Sequence, residues 1–157
     1  MKIILKVLLE CQSLILQGIL TAEDTKLAVT NNVDGVWVSN HGGRQLDTCP
    51  SSLDALPEIV DVLRPAYPHI PILFDSGINR GSDVFKALAL GADLCFIGRV
   101  TLWGLIWGGQ EGLELALEIL ENELRLTMAL AGVRTVKEIK RSHLGYLKEG
   151  VGIRPLE

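Results

Sequence analysis

Cysteine is scarce in this chain and forms no paired pattern. Cys11, Cys49 and Cys95 are an odd number with no CxxC spacing. That argues against a disulfide framework or a zinc knuckle and fits reduced thiols in an intracellular, cytoplasmic setting. Neither sign of charge dominates: 15 Lys and Arg against 19 Asp and Glu leave a net charge of −4. No basic surface is expected for nucleic acid or an anionic membrane. Long apolar runs are also missing. The start, from Met1 to Leu9, is split by Lys6, ended by Glu10 and followed by no small-residue cleavage site. It is too short to span a bilayer and reads as a strand, helix or extension rather than a targeting signal. The last residues, Arg154-Pro-Leu-Glu157, are not a peroxisomal tripeptide. There is no linker, low-complexity stretch or sign of a second domain. What remains is 157 residues, 48% hydrophobic and 22% charged, which predicts one globular domain with its own core.

Short apolar runs alternate with helical patterns. Strands are predicted over 14–16, 36–38, 72–74 and 94–97. Between them, Thr21 is a plausible N-cap with Glu23 and Asp24 in the first turn, and Asn31-Asn32 ends that helix. Leu53, Leu56, Ile59, Val60 and Leu63 recur at helical spacing before Pro65 and Pro68. Ser82 is expected to cap a helix that Gly91 stops. A long amphipathic helix is expected over 111–131 and a short one over 136–139. Alternating strands and helices imply a parallel sheet covered by helices, and the nearly continuous apolar strands fit burial on both faces.

Each strand runs into a polar or Gly-rich loop, the end where α/β folds place their chemistry. The stretch Ser39-Asn-His-Gly-Gly-Arg-Gln-Leu-Asp47 is the richest. His41 can take a proton near neutral pH, and Arg44 offers a planar fork for a carboxylate. Gly42 and Gly43 allow a sharp turn and close approach of a flat ligand. A small carboxylic acid beside a base is one reading; a surface loop with a solvated Arg and a His capping backbone is the other. A second candidate site is split between Asp75-Ser-Gly-Ile-Asn-Arg-Gly81 and Gly98-Arg99. Gly loops beside an Arg can form an anion site, as in the last two loops of many barrels, but ordinary βα turns have the same composition. Trp37, Trp103 and Trp107 are expected in the core or in helix packing, His69 and His143 at the surface, and Asp47 in a turn.

Six stretches together resemble one family in order and spacing: Gly18-Ile-Leu-Thr-Ala-Glu-Asp24, residues 38–47, Asp75-Ser-Gly-Ile78, residues 81–92, Phe96-Ile-Gly-Arg99 and residues 126–132. The chain is similar, over about 14–144, to the FMN-dependent α-hydroxy-acid dehydrogenases, which include glycolate and lactate oxidases. The resemblance implies an α/β fold of TIM-barrel type, comprising about four C-terminal βα units of a (β/α)₈ barrel. It implies FMN as cofactor and oxidation of a small (S)-2-hydroxy acid to the 2-oxo acid. His41 matches the catalytic base and Arg44 the substrate-carboxylate clamp. Gln17, Ser39, Asp75, Ser76, Gly77, Ile78, Asn79, Gly98 and Arg99 match positions that contact FMN.

Three departures follow from the same resemblance. Gln17 stands where the family usually has a Lys near flavin N1. Asn79 stands where an Arg usually meets the phosphate, with Arg80 as a possible stand-in. Four N-terminal barrel strands, with a substrate-binding Tyr and a Tyr and an Asp that support the site, have no counterpart here. A closed barrel needs eight strands and roughly 250 residues. A half barrel leaves open sheet edges and an uncovered inner face. The rival expectation is therefore an inactive half-barrel that acts through self-association or a complementing barrel half.

Overall fold

The computed structural model describes residues 13–148 and 152–155. The expectations for the apolar start and for Cys11 lie outside these residues. Four strands, β1 (Ile15–Ile19), β2 (Gly35–Val38), β3 (Ile72–Phe74) and β4 (Leu94–Cys95), alternate with four helices, α1 (Ala22–Thr30), α2 (Ser52–Ala66), α3 (Gly81–Leu90) and α4 (Arg99–Leu130). An antiparallel pair, β5 (Gly145–Lys148) and β6 (Gly152–Pro155), follows.

The sheet is parallel with order β1-β2-β3-β4. Every crossover advances one strand in the same direction. That is the winding of a βα barrel; a doubly wound sheet reverses its order. Sequence-adjacent helices also touch, α1 with α2, α2 with α3 and α3 with α4, so they form one layer on one sheet face. Val36, Val38, Ile72 and Phe74 point into that layer and are buried against Leu56, Ile59 and Leu63 of α2. Strand alternation turns Gln17, Trp37, Leu73 and Leu94, which lie in register, to the other face. There Ile15, Leu94 (54% exposed) and Phe96 remain open to solvent.

Local chemistry explains most boundaries. Thr21 Oγ1 accepts from the Asp24 amide at 3.1 Å and Asn31 closes α1, as its residues predict. Ser51 caps α2, which runs one residue past Pro65 and ends at Tyr67. Gly91 stops α3 at φ 110°, a left-handed position suited to glycine.

Other boundaries differ from expectation. β1 continues through Gly18 (φ 94°), where the pairing register shifts, because a glycine at positive φ permits a bulge rather than ending the strand. β4 pairs with β3 only over Leu94–Cys95, shorter than the expected 94–97. The cap of α3 is Arg80 and not Ser82, because the Asp83 carboxylate accepts from the Arg80 amide at 3.0 Å. The long helix begins at Arg99, well before 111, but Gly108 (φ −154°) and Gly109 (φ 59°) break it. Its two arms fold back so closely that a Cβ on Gly112 would lie 2.1 Å from the Gly104 carbonyl oxygen.

Candidate functional site

The site forms where β1, β2, β3 and β4 end. Each strand delivers its last inward-facing residues and then a loop. Gln17 comes from β1, Ser39 and residues 41–44 from the end of β2, residues 75–79 from the end of β3, and Gly98-Arg99 from the N-terminus of α4. A cleft of about 370 Å³ opens among them. It is lined by Gln17, His41, Arg44, Asp75, Ser76, Gly77, Ile78, Asn79, Gly98 and Arg99. Of the residues matched to the family's catalytic, substrate and FMN positions, Ser39 alone is not part of the lining; it is 3% exposed.

Asp75 organises the floor. Its Oδ1 accepts from Ser39 Oγ at 2.5 Å and from Ser76 Oγ at 2.6 Å, and its Oδ2 accepts from Gln17 Nε2 at 3.1 Å. Among the described residues all three donors are neutral. The loop above is held by its backbone. The His41 amide donates to Ser39 Oγ at 3.0 Å, the Gly42 amide to Ser76 Oγ at 2.9 Å, and the Gly43 amide to Asn40 Oδ1 at 3.1 Å. Arg99 Nη2 donates to the Gly42 carbonyl at 2.6 Å, joining the two ends of the cleft. His41 (φ 57°) and Ser76 (φ 78°) hold left-handed conformations without being glycine. Such positions persist only where surrounding bonds over-determine them, and they cluster at functional sites.

The anion-binding end is narrower than its residues suggest. The amides of Asn79 and Arg80 donate to Asp83 Oδ2, and that of Gly81 to Glu123 Oε2. The amides leading into α3 and its first amide, Gly81, are therefore already engaged from within the chain. Arg80 is no stand-in for a phosphate ligand: its Nη1 pairs with Glu123 Oε1 at 3.0 Å and it does not line the cleft. The open anion end is formed by Gly77, Asn79, Gly98 and Arg99. A Cβ on Gly77 or Gly98 would meet nothing within 4 Å, so both backbones are accessible.

Trp37, Phe96, Ile97 and Leu102 complete the cleft without having been singled out for it. Trp37 was expected in the core, but it lies on the uncovered face and stacks on Phe96 with ring centroids 4.3 Å apart. Trp37 Nε1 is buried and has no hydrogen-bond partner among the described residues. Trp103 (64% exposed) and Trp107 (75%) also lie outside the core, on the first arm of α4, but Trp107 packs beside Gly112 of the second arm, the helix-packing alternative expected for it. His69 and His143 are exposed as expected, and Asp47 Oδ1 accepts from the Thr48 amide at 2.9 Å, forming its turn.

A singly wound parallel sheet with a His/Arg loop and a Gly/Arg loop at its C-terminal mouth defines a partial βα barrel. The family model for FMN-dependent dehydrogenases matches residues 9–146. With a match of that extent, the chain belongs to the FMN-dependent dehydrogenase family. It is 51% identical over 128 residues to 2-hydroxyacid oxidase 2 of Bos taurus, covering 82% of this chain and 35% of that protein. It is 48% identical over 131 residues to a peroxisomal (S)-2-hydroxyacid oxidase of Arabidopsis thaliana, covering 83% and 35%. Among solved structures, a lactate oxidase from Pediococcus acidilactici superposes with a TM-score of 0.77 at 46% identity, covering 82% of this chain and 35% of that one. A mandelate oxidase carrying an FMN monooxide adduct gives 0.77 at 41% identity, covering 83% and 41%. The chain thus spans about a third of the length of the curated relatives it matches. The expected fold class, four units of a TIM-type barrel, agrees with these neighbours.

Proposed function

We propose that this chain supplies the base, the substrate clamp and the phosphate end of an FMN site that oxidises a small (S)-2-hydroxy acid to its 2-oxo acid. The observation that carries this reading is that His41 and Arg44, from one loop, line the same cleft as Gly98 and Arg99. The residues present fit FMN at its phosphate end. Arg99, Asn79 and the accessible backbones at Gly77 and Gly98 would hold the phosphate. A carboxylate has about four lone-pair sites, and Asp75 uses three, so one is left for a hydroxyl of the ribityl chain. Trp37, Phe96 and Leu102 offer apolar surface to the ring.

FMN, when bound, supplies a two-electron acceptor. The protein's part is binding and proton handling. Arg44 takes the substrate carboxylate in two parallel hydrogen bonds and so fixes the orientation of the 2-carbon. A ring nitrogen of His41 takes the substrate proton as the electrons leave. The aliphatic and aromatic lining limits water on the ring side.

A second reading is an inactive half-barrel that works by self-association or by docking a complementing barrel half. The exposed apolar face at Ile15, Leu94 and Phe96 favours it. For the compartment, an odd number of cysteines with no CxxC spacing supports an intracellular, cytoplasmic reading. No helix among the described residues is long and apolar enough to cross a membrane. The deciding experiment is titration of the purified chain with FMN, followed by flavin fluorescence and by 2-hydroxy-acid oxidation with and without a complementing N-terminal half. FMN binding with turnover in the complemented mixture supports the first reading. Absence of both overturns it.

A further inference from the structure

We propose that Asp75 is a positioning residue for the His41 loop, acting through the hydroxyls of Ser39 and Ser76, in addition to any contact it makes with a cofactor. The consequence for catalysis rests on the function proposed above; the positioning itself does not. An ionised carboxylate only accepts hydrogen bonds. Ser39 Oγ and Ser76 Oγ must therefore both turn their single protons to Asp75 Oδ1, at 2.5 and 2.6 Å. Their lone pairs are left facing the loop, and they accept from the amides of His41 and Gly42 at 3.0 and 2.9 Å. One carboxylate oxygen thus sets the orientation of two hydroxyls, and these hold two successive peptide units.

Those peptides need holding. His41 sits at φ 57° and Gly42 at 67°. A β-carbon-bearing residue leaves the left-handed region unless other bonds hold it there. Ser76 is itself at φ 78°, a position glycine would take without strain, so its hydroxyl is what a glycine there would lack. The relay has a second consequence. A hydroxyl has one proton to donate, so neither Ser39 nor Ser76 keeps a donor for a ligand. Donation into the cleft falls to Arg44, Arg99, Gln17, Asn79 and backbone amides.

The test is residue-resolved amide hydrogen exchange on the full chain, without flavin. Ser39→Ala removes the acceptor for His41 alone and Ser76→Gly the acceptor for Gly42 alone, while relieving backbone strain. Asp75→Ala releases both hydroxyls. The expected result is exchange at least ~5-fold faster at His41 in Ser39→Ala, at Gly42 in Ser76→Gly and at both in Asp75→Ala, the factor one ordinary hydrogen bond is worth. The β2 and β3 amides, such as Val36 to the Pro71 carbonyl and Asp75 to the Val38 carbonyl, should keep their wild-type rates. Unchanged exchange at His41 and Gly42 overturns the proposal, and so does an equal rise across β2 and β3, which would mark general destabilisation. Should Asp75→Ala fail to fold, the two serine variants decide alone. Failure to bind FMN would count against the proposed function and leave the exchange result standing.

Discussion

His41 stands in a left-handed turn on the cleft, with its amide tied to Ser39 and no hydrogen bond to its ring among the described residues. The proposed proton transfer needs that ring free. In a complemented, FMN-loaded assembly, His41→Gln is expected to retain flavin and lower turnover by at least ~10²-fold, the lower range of general-base contributions. Near-normal turnover in stopped-flow flavin reduction would remove His41 from the mechanism. Arg44→Lys keeps the charge but loses the two-pronged fork, so KM for 2-hydroxy acids should rise markedly with flavin content unchanged. An unaltered KM would place the substrate carboxylate elsewhere. Cys95 gives a prediction in pH. Burial pushes its thiol up to about 12, so it stays neutral in the folded chain at physiological pH. The raised value contributes stability that is fully present below the ordinary thiol pKa of about 8.5 and is lost as pH rises towards 12. Mass spectrometry after iodoacetamide at pH 8 should find Cys95, which is half-buried in the folded chain, alkylated much faster with denaturant than without. Much of this site was legible because its polar residues are contiguous after strands: 39–47, 75–79 and 98–99. Trp37, Phe96 and Leu102 were not, since a ligand-facing apolar side chain and a core one look alike in sequence. Alternation from Ser39 back to Trp37 was the one available signal.

Elements were legible where a side chain near the boundary satisfies the backbone. Thr21 and Gly91 fall where their chemistry puts them. Ser82 does not, because Asp83 reaches back to amides one turn earlier. That is the acidic half of a capping box without its other half, since an Arg cap has no acceptor to offer the Asp83 amide. Residues 99–107 carry β-branched and aromatic side chains that disguise a helix; only the break at Gly108-Gly109 was marked. The fold-back depends on Gly104 and Gly112. In an unbroken helix these would be about 12 Å apart along the axis, yet here their backbones touch. Gly112→Ala places a methyl 2.1 Å from a backbone oxygen that cannot swing away. It should destabilise the chain by roughly 1–3 kcal/mol, the usual range for overpacking. Urea denaturation would show a lower midpoint, whereas Gly108→Ala, with open space around its Cβ, should change little. Equal midpoints for both variants would mean that the two arms separate freely in solution.

Among the described residues, one sheet face is covered by helices and the other is left open. Leu94 and Phe96 lie exposed beside the stacked Trp37, and Leu102, Trp103 and Trp107 continue the apolar surface onto α4. A monomer rarely keeps so much contiguous apolar surface in water, and the edges of a four-stranded parallel sheet add unpaired backbone groups. The cleft is correspondingly one-sided. Gly98-Arg99 and the His41–Arg44 loop line it, and Trp37 and Phe96 are the aromatic surface that would hold a flavin ring. Two expected cationic contacts are also neutral. Gln17 gives its amide proton to Asp75, and Asn79 stands at the phosphate end while Arg80 turns to Glu123. Losing two charge-assisted hydrogen bonds, at roughly 1.5–3 kcal/mol each, weakens FMN binding by roughly 10²–10⁴-fold. The purified chain is therefore expected to be largely flavin-free, to elute from gel filtration as associated species, and to show no 2-hydroxy-acid oxidation by itself with added FMN. Gln17→Lys with Asn79→Arg should recover part of the flavin affinity without dispersing the associated species, because charge at the cleft leaves the open apolar face uncovered. Absorbance at the flavin bands across the gel-filtration profile measures both effects at once. A yellow monomer that turns over glycolate or lactate would show that the open face needs no partner and that half a barrel mouth is enough to hold the ring.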